Sequence, residues 1–355
     1  MTLPPTMRQF YYPVYGQGWN LLKQRTVPLP ALKPDEVLVK IHAVSLQYRD
    51  IMNANGTSPE VFIPDELVPG SDMAGEVVAI GDEVTGAFKV GDRVSSNFIT
   101  AHISGELELW MFAHVPGGSE QGVLQDYRVF KPESLVPIPE HLSYEEASTL
   151  PCAAVTAYNA LMGGRQPLKA GDTVLILGTG GVSIFGLQLA VASGATVIVT
   201  SSSDDKLKLA KKLGAKHGIN YKTTPQWDEE VLRLTGGRGV DHVLEVSGPS
   251  TIFKSLNAVK FGGQIVIIGE VAPVEHETGT VQEVLTKTHL KLVSMRGVLV
   301  GSAESFKSMN RLIAANPDTT RPVVDKVFEF DQTIEAFEHL NSQKHVGKVV
   351  ISLDK

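Results

Sequence analysis

Residues 173–190 read TVLILGTGGVSIFGLQLA, and the reading of this stretch decides the fold. TVLIL (Thr173–Leu177) is an unbroken apolar run of strand length, as expected of a strand buried on both faces. The turn Gly178–Thr179–Gly180–Gly181 follows at once, and VSIFGLQLAVAS, which begins at Val182, is helix-length and apolar around much of its circumference. Glycines between a buried strand and a helix serve a physical need. Gly178 lets the chain turn sharply, and Gly180 and Gly181 let backbone approach a pyrophosphate with no Cβ in the way. The helix start then offers unpaired N–H groups and the positive end of its dipole to the anion. The last glycine of a G-x-G-x-x-G fingerprint is Ser183 here, a residue still small enough for close helix–strand packing.

Toward the C-terminus the same rhythm continues. TVIVT (Thr196–Thr200) is strand-like, DDKLKLAKKLGA reads as an amphipathic helix closed by Gly214, and HGIN, QWDEEVLRLTGG, DHVLEV, PSTIFKSLNAV and GQIVIIG carry the alternation on. KLVSMRGVLV (Lys291–Val300) adds a last candidate strand. Buried strands alternating with helices of ~10–15 residues predict an α/β architecture, a parallel sheet with helices on both faces. Before Pro151 the texture differs. EVLVKIHAV (36–44), AGEVVAIG (74–81) and VGDRVSS (90–96) are short strands between turn residues, which suggests a barrel-like or sandwich domain. After the helix-like SAESFKSMNRLIAAN the chain ends in a β-like tail, GKVVISL, whose texture resembles the N-terminal part.

Composition narrows the function. A length of 355 residues suits two domains, and 43% hydrophobic with 20% charged residues is ordinary for a globular protein. No apolar run reaches the roughly 18–20 residues of a membrane span, and the start MTLPPTMRQFYYPV lacks the apolar core of a secretion leader. A net charge of -7 argues against nucleic acid as the partner and leaves a small-molecule substrate. The single cysteine, Cys152, rules out internal disulfides and agrees with a reducing compartment, so a cytoplasmic location is expected.

The cofactor is read from the second strand of the alternating region. An NAD-preferring site places an acidic residue about 20 residues beyond the glycine turn. Here TVIVT runs into Ser201–Ser202–Ser203, and Asp204 and Asp205 lie further on, where helix capping is the expected task. Lys206 follows four residues after Ser202. A serine hydroxyl plus an ammonium suits a 2′-phosphate, which needs donors and positive charge. NADP(H) is therefore the expected cofactor.

SLQYRDIM, VPGSDMAGEVVAIGDEV, VGDRV, LPCAAVTAYNAL, LGTGGVSIFGLQLA, LGAKHGINY and VGKVVISL together make the chain resemble the medium-chain dehydrogenase/reductase superfamily over nearly its full length. It looks closest to the zinc-independent, quinone oxidoreductase-like members. The resemblance implies a GroES-like, β-rich catalytic domain formed by residues 1–150 and 302–355, a Rossmann NADP(H)-binding domain at 151–301, and a homodimer joined through edge strands of the Rossmann sheets. By position it puts 2′-phosphate contacts on Ser202, Lys206 and Tyr221, the nicotinamide amide beside Thr156, and the nicotinamide ring between strand ends at Gly269 and Leu299. It places the Gln47–Tyr48 element beside the nicotinamide, with Gln47 a candidate contact to ribose or substrate. Catalytic zinc in the zinc-dependent members uses a cysteine, a His–Glu pair and a later cysteine. The matching positions here are Gln47, Ser71–Asp72 and Cys152, so no metal is expected.

Without a Lewis acid, the charge that develops on a substrate oxygen after hydride addition needs hydrogen-bond or proton donors. Addition to the far carbon of an enone or quinone spreads that charge, so reduction of an activated double bond or quinone leads, with alcohol or carbonyl chemistry close behind. An NADPH-binding sensor or structural protein without turnover stays open as a different class. Tyr48 is the candidate proton donor, with a packed tyrosine equally open. Arg49 and Asp50 read as structural, and Cys152 as a small buried hydrophobe. The segment Asn97–Tyr127 is long for a loop and carries Trp110, Met111 and Phe112, which suits a lid, a pocket wall or a contact surface.

Overall fold

The computed structural model describes residues 3–59, 62–269 and 279–354. The chain forms two compact units, Met1–Val155 with Val300–Ala315 and Arg321–Lys355, and Thr156–Leu299 with Asn316–Thr320. In chain order the first unit contributes β1 (Thr6–Tyr11), β2 (Lys23–Pro28), β3 (Val37–Ser45), α1 (Tyr48–Ala54), β4 (Asp72–Ile80), β5 (Arg93–Ser96), β6 (Tyr127–Phe130), β7 (Leu135–Pro137) and α2 (Tyr144–Ala147). A π-helical turn, Leu150–Ala154, leads into α3 (Val155–Met162). The second unit then runs β8 (Thr173–Leu177), α4 (Gly181–Ala192), β9 (Thr196–Ser201), α5 (Asp204–Lys212), β10 (His217–Asn220), α6 (Trp227–Leu234), β11 (Val240–Glu245), α7 (Ile252–Ala258), β12 (Val259–Ile267), α8 (Val281–Leu290) and β13 (Ser294–Gly297). The chain returns to the first unit with α9 (Ala303–Ala315), β14 (Val324–Glu329), α10 (Thr333–Asn341) and β15 (Lys348–Ser352).

Among the described residues the first unit's larger sheet runs β14-β15-β3-β4-β5-β7, with β6 paired to β3, and β1 pairs with β2 separately. The C-terminal β15 is antiparallel to β3, with Val350 opposite Ser45. The β-like tail thus completes the N-terminal sheet. The core of this unit gathers Phe10, Val39, Ile41, Leu124, Phe330 and Phe337, from both ends of the chain.

The second unit's sheet, among the described residues, has the order β10-β9-β8-β11-β12-β13 and is parallel at every pairing. Counted within this unit the order is 3-2-1-4-5-6, the doubly wound arrangement of a Rossmann sheet. Four of the five residues of β8 are buried, and Ser183–Ala190 of α4 are buried throughout, which is why neither element shows a polar face. In contrast α5 buries only Leu207 and Ala210 and carries Asp204 and Asp205 in its first turn and Lys211 and Lys212 in its last, matching its dipole. None of the helices among the described residues is long and apolar enough to cross a membrane.

One local reading needs revision. Ser203 caps α5, its Oγ accepting the Lys206 N–H at 3.5 Å, so Asp204 and Asp205 are first-turn residues and not caps. Within 97–127 the only helix is the 3-10 turn Leu109–Ala113, on which Leu109 and Trp110 are exposed and Met111 is buried.

Candidate functional site

In a parallel sheet every strand ends on the same edge. That edge carries Gly178 after β8, Ser201 and Ser202 at the end of β9, Tyr221 after β10, Gly269 after β12 and Leu299 after β13. Most of the residues expected to meet the cofactor therefore share one edge, and the strand order reverses between β8 and β11, where such sheets bind ligands. Thr156 stands apart, buried at the start of α3.

The glycine turn has the shape an anion needs. Gly178 has φ +74°, the left-handed region that costs a side chain strain, and a Cβ on Gly180 would meet no atom within 4 Å. The turn thus leaves open space directly before α4, whose first-turn amides have no helical acceptors. Thr179 is buried and Val182 lies in the first turn of α4. Ser183 has its own task, since its Oγ donates to the Leu177 carbonyl at 2.8 Å and ties the helix to the strand it follows. The close packing expected of the third fingerprint glycine occurs one turn later, where a Cβ on Gly186 would lie 2.7 Å from Leu244 Cδ2.

At the tip of β9 the geometry favours donors over carboxylates. Ser201 is buried, and its carbonyl accepts the Tyr221 N–H at 3.0 Å, which holds Tyr221 beside the serines. The Tyr221 side chain is half exposed. Asp204 accepts a bond from Asn220 Nδ2 at 2.9 Å and Asp205 pairs with Lys208 at 2.8 Å, so both carboxylates are engaged on α5. Lys206 follows them directly in sequence, in the first turn of α5. These residues fit a nicotinamide dinucleotide: the turn and the start of α4 would hold its pyrophosphate, with Ser202, Lys206 and Tyr221 at the ends of β9 and β10 beside it. When bound, the nicotinamide supplies the hydride.

The first unit builds a polar cluster where β3 ends and β4 and β15 begin. Gln47, two residues past β3, is 7% exposed and caps α1, its backbone N–H donating to Asp50 Oδ2 at 2.7 Å. Its side chain is committed at both ends. Nε2 donates to Asp72 Oδ2 at 2.7 Å, and Oε1 accepts from Lys348 Nζ at 2.8 Å. Asp72 also accepts from Ser71 Oγ at 2.7 Å and from the Cys152 backbone N–H at 2.8 Å. Lys348, the first residue of β15, donates further to the Leu46 carbonyl at 2.5 Å. Burial pushes the Asp72 carboxyl up to about 6 against the pull of Lys348 and its donors. The same burial pushes the Lys348 ammonium down. Every partner of Asp72 is a donor, which is an environment for a carboxylate.

Sequence reading did not single out Lys348. The available signal was a lysine immediately before the buried run VVIS, where a solvated charge has no place. The donor set does not fit a catalytic zinc. Gln47 is bonded to a buried ammonium, Asp72 is spent on three donors, and burial drives the Cys152 thiol well above its ordinary value, away from the thiolate a metal takes. No group of three or more His, Cys, Asp or Glu among the described residues has a metal-binding arrangement.

Tyr48, the first residue of α1, is 43% exposed and adjoins Gln47, whose amide is held from both sides. Arg49 donates to the Pro116 carbonyl at 2.5 Å and lies over the Phe98 ring at 4.8 Å, while Asp50 completes the cap of α1. Both serve packing of their own unit. Trp110 is 55% exposed and donates to Glu108 Oε2 at 3.2 Å.

Comparison with known proteins agrees with both units. The alcohol dehydrogenase GroES-like domain family matches residues 33–140, and the zinc-binding dehydrogenase family matches 181–315. A zinc-type alcohol dehydrogenase-like protein of Schizosaccharomyces pombe is 46% identical, over 95% of this chain and 96% of that protein. The chain belongs to the medium-chain dehydrogenase/reductase superfamily. As a member of that superfamily it is an oxidoreductase with a GroES-like and a Rossmann-type domain. A 2-methylene-furan-3-one reductase of Solanum lycopersicum is 30% identical over 99% of this chain and 80% of that protein. The structure of a proposed alcohol dehydrogenase from Sinorhizobium meliloti superposes with a TM-score of 0.88 at 36% identity, covering 99% of this chain and 100% of that one.

Proposed function

We propose that this medium-chain dehydrogenase/reductase is an NADPH-dependent, zinc-independent reductase that transfers hydride to an activated C=C bond or a quinone. One observation carries the cofactor choice: the tip of β9 presents Ser201 and Ser202, while the carboxylates that follow in sequence, Asp204 and Asp205, are bonded to Asn220 and Lys208. A free 2′-hydroxyl finds no carboxylate there, and a 2′-phosphate meets no repulsion from one. The reaction class rests on the Gln47–Asp72–Lys348 cluster. With those side chains spent on one another, nothing in the cluster offers a Lewis acid, so the substrate must spread its own developing charge, as an enone or quinone does. The reductase of Solanum lycopersicum, whose name denotes an enone, supports the same class. Tyr48 is the group assigned to give the proton, being exposed and adjacent to the held amide of Gln47.

A second copy of the chain is the proposed partner. β13 ends its sheet with one edge unpaired among the described residues, and Val281, Leu285, Leu290 and Leu292 are exposed apolar side chains on and just after α8.

Consumption of NADPH with a panel of enones, quinones and aldehydes tests the reaction. Turnover of enones or quinones supports the proposal, turnover of aldehydes alone favours carbonyl chemistry, and NADPH binding with no turnover of any favours a sensor. Lys206→Ala is expected to raise the Kd for NADPH about tenfold, the loss of one charge-assisted contact, and to leave NADH nearly unchanged. Equal loss for both cofactors removes Lys206 from the 2′-phosphate site.

A further inference from the structure

Glu245 is the last residue of β11, is fully buried, and has no part in the chemistry above. Its Oε1 accepts the Ser247 N–H at 3.0 Å, the Gly248 N–H at 3.1 Å and Thr251 Oγ1 at 2.7 Å, and its Oε2 accepts Ser255 Oγ at 2.6 Å. All four donors come from the next ten residues, the turn from β11 into α7. No lysine or arginine among the described residues forms an ion pair with this carboxylate, and burial pushes it above its ordinary value. A buried carboxyl without a counter-cation is costly to stability, and its retention calls for a reason.

Its position supplies one. β11 lies beside β8 with Leu244 level with Ile176, so the same offset sets Glu245 level with Leu177, the residue before the glycine turn. The strand order reverses between these two strands. The turn that Glu245 holds is thus the second wall of the crevice, across from Gly178–Gly181. The Gly248 carbonyl accepts the Thr251 and Ile252 N–H groups at 3.1 and 3.2 Å, so carboxylate and carbonyl brace the turn from two sides. A dinucleotide laid across the crevice passes from the β8–β9 half, which takes its adenosine end, to the half that begins at β11.

We propose that Glu245 is a positioning residue of the dinucleotide site: it holds the 246–251 turn in the shape that receives the nicotinamide half, and leaves the adenosine half untouched. This rests on the NADP(H) reading above. Two probes separate the halves, NADPH and 2′,5′-ADP, the second of which reaches only the β8–β9 side. Thr251→Val removes one of the four donors at nearly constant shape, Glu245→Leu removes the acceptor, and Glu245→Gln keeps an oxygen for the turn while Ser255 Oγ can rotate to accept from the new amide.

Thr251→Val and Glu245→Leu are expected to raise the Kd for NADPH about tenfold, the effect of one hydrogen bond to a charged group, with 2′,5′-ADP within about twofold of the parent. Glu245→Gln is expected to restore NADPH binding to within about threefold. A general loosening of the unit would weaken both probes in proportion. Proportional loss, or no loss in folded Thr251→Val protein, overturns the positioning role, and Thr251→Val keeps the test alive if Glu245→Leu does not fold. Parent protein that binds 2′,5′-ADP and NADPH equally well also overturns it, whereas parent protein that binds neither overturns the NADP(H) reading on which it stands.

Discussion

At the scale of single residues, Asp72 shows how a buried charge is held at a cost. Its folded value of about 6 lies above the ordinary 3.8, so the folded state binds its proton more tightly than the unfolded state does. Protonation of Asp72 therefore stabilises the fold, and this contribution is lost as pH rises through about 6. Asp72→Asn abolishes that dependence. Urea unfolding of both proteins is expected to show the stability of the parent falling relative to Asp72→Asn by about 2 kcal/mol between roughly pH 4.5 and pH 7.5. A constant difference across this range would mean that the carboxyl titrates normally. The cluster also explains what a linear reading misses. Gln47 and Asp72 are legible as departures from a metal-binding pattern because each sits in a recognisable motif, SLQYRDIM and VPGSDMAG. Lys348 is 301 residues from Gln47, and nothing local to GKVVISL announces where its ammonium goes. Glu245 is hidden for a related reason: DHVLEV reads as a strand, and only the folded turn shows that four donors converge on its one carboxylate.

At the scale of elements, the pair β8–α4 was the most legible part of the molecule, because strand burial, glycine turn and helix all follow from short-range chemistry. The detail that sequence could not supply is how the helix is fastened. Ser183 ties α4 to Leu177, and Gly186 admits the side chain of Leu244. Ser183→Gly, which restores the full glycine fingerprint, is expected to lower unfolding stability by about 1 kcal/mol through the lost hydrogen bond. Cofactor affinity should stay within about twofold, measured by titration of NADPH fluorescence. Gly186→Val forces a branched side chain into Leu244 and is expected to cost about 3 kcal/mol, read as a lowered midpoint of urea unfolding. An unchanged midpoint would show that the helix can shift away from β11 at little cost. The segment 97–127 was the least legible, because its single 3-10 turn is held by local bonds, such as that of Ser119 Oγ to the Phe112 carbonyl, that leave no periodic pattern in the sequence.

At the scale of the whole molecule, the proposed self-association through β13 and α8 is open to a direct test. Light scattering on the purified chain is expected to give twice the mass of 38.3 kDa. The double variant Leu285→Glu/Leu292→Glu should give the single mass, since charge on an exposed apolar face opposes its burial. A monomeric parent at micromolar concentration removes the second copy from the account. The return of β15 to the first unit's sheet has a further consequence, for synthesis. β15 lies between β14 and β3 in the sheet, so a strand inside the first unit's sheet is synthesised only after the Rossmann unit's strands. Nascent chain carrying β3 and β4 must wait with that side of the sheet uncovered while the whole Rossmann unit is translated and can fold. Lys348 arrives with the same strand, so Asp72 and Gln47 receive their cation only after the Rossmann unit has been made. Stalling translation before residue 348 should therefore yield a folded dinucleotide-binding unit joined to a protease-sensitive N-terminal half, and stalling with β15 already outside the ribosome should convert the second without altering the first.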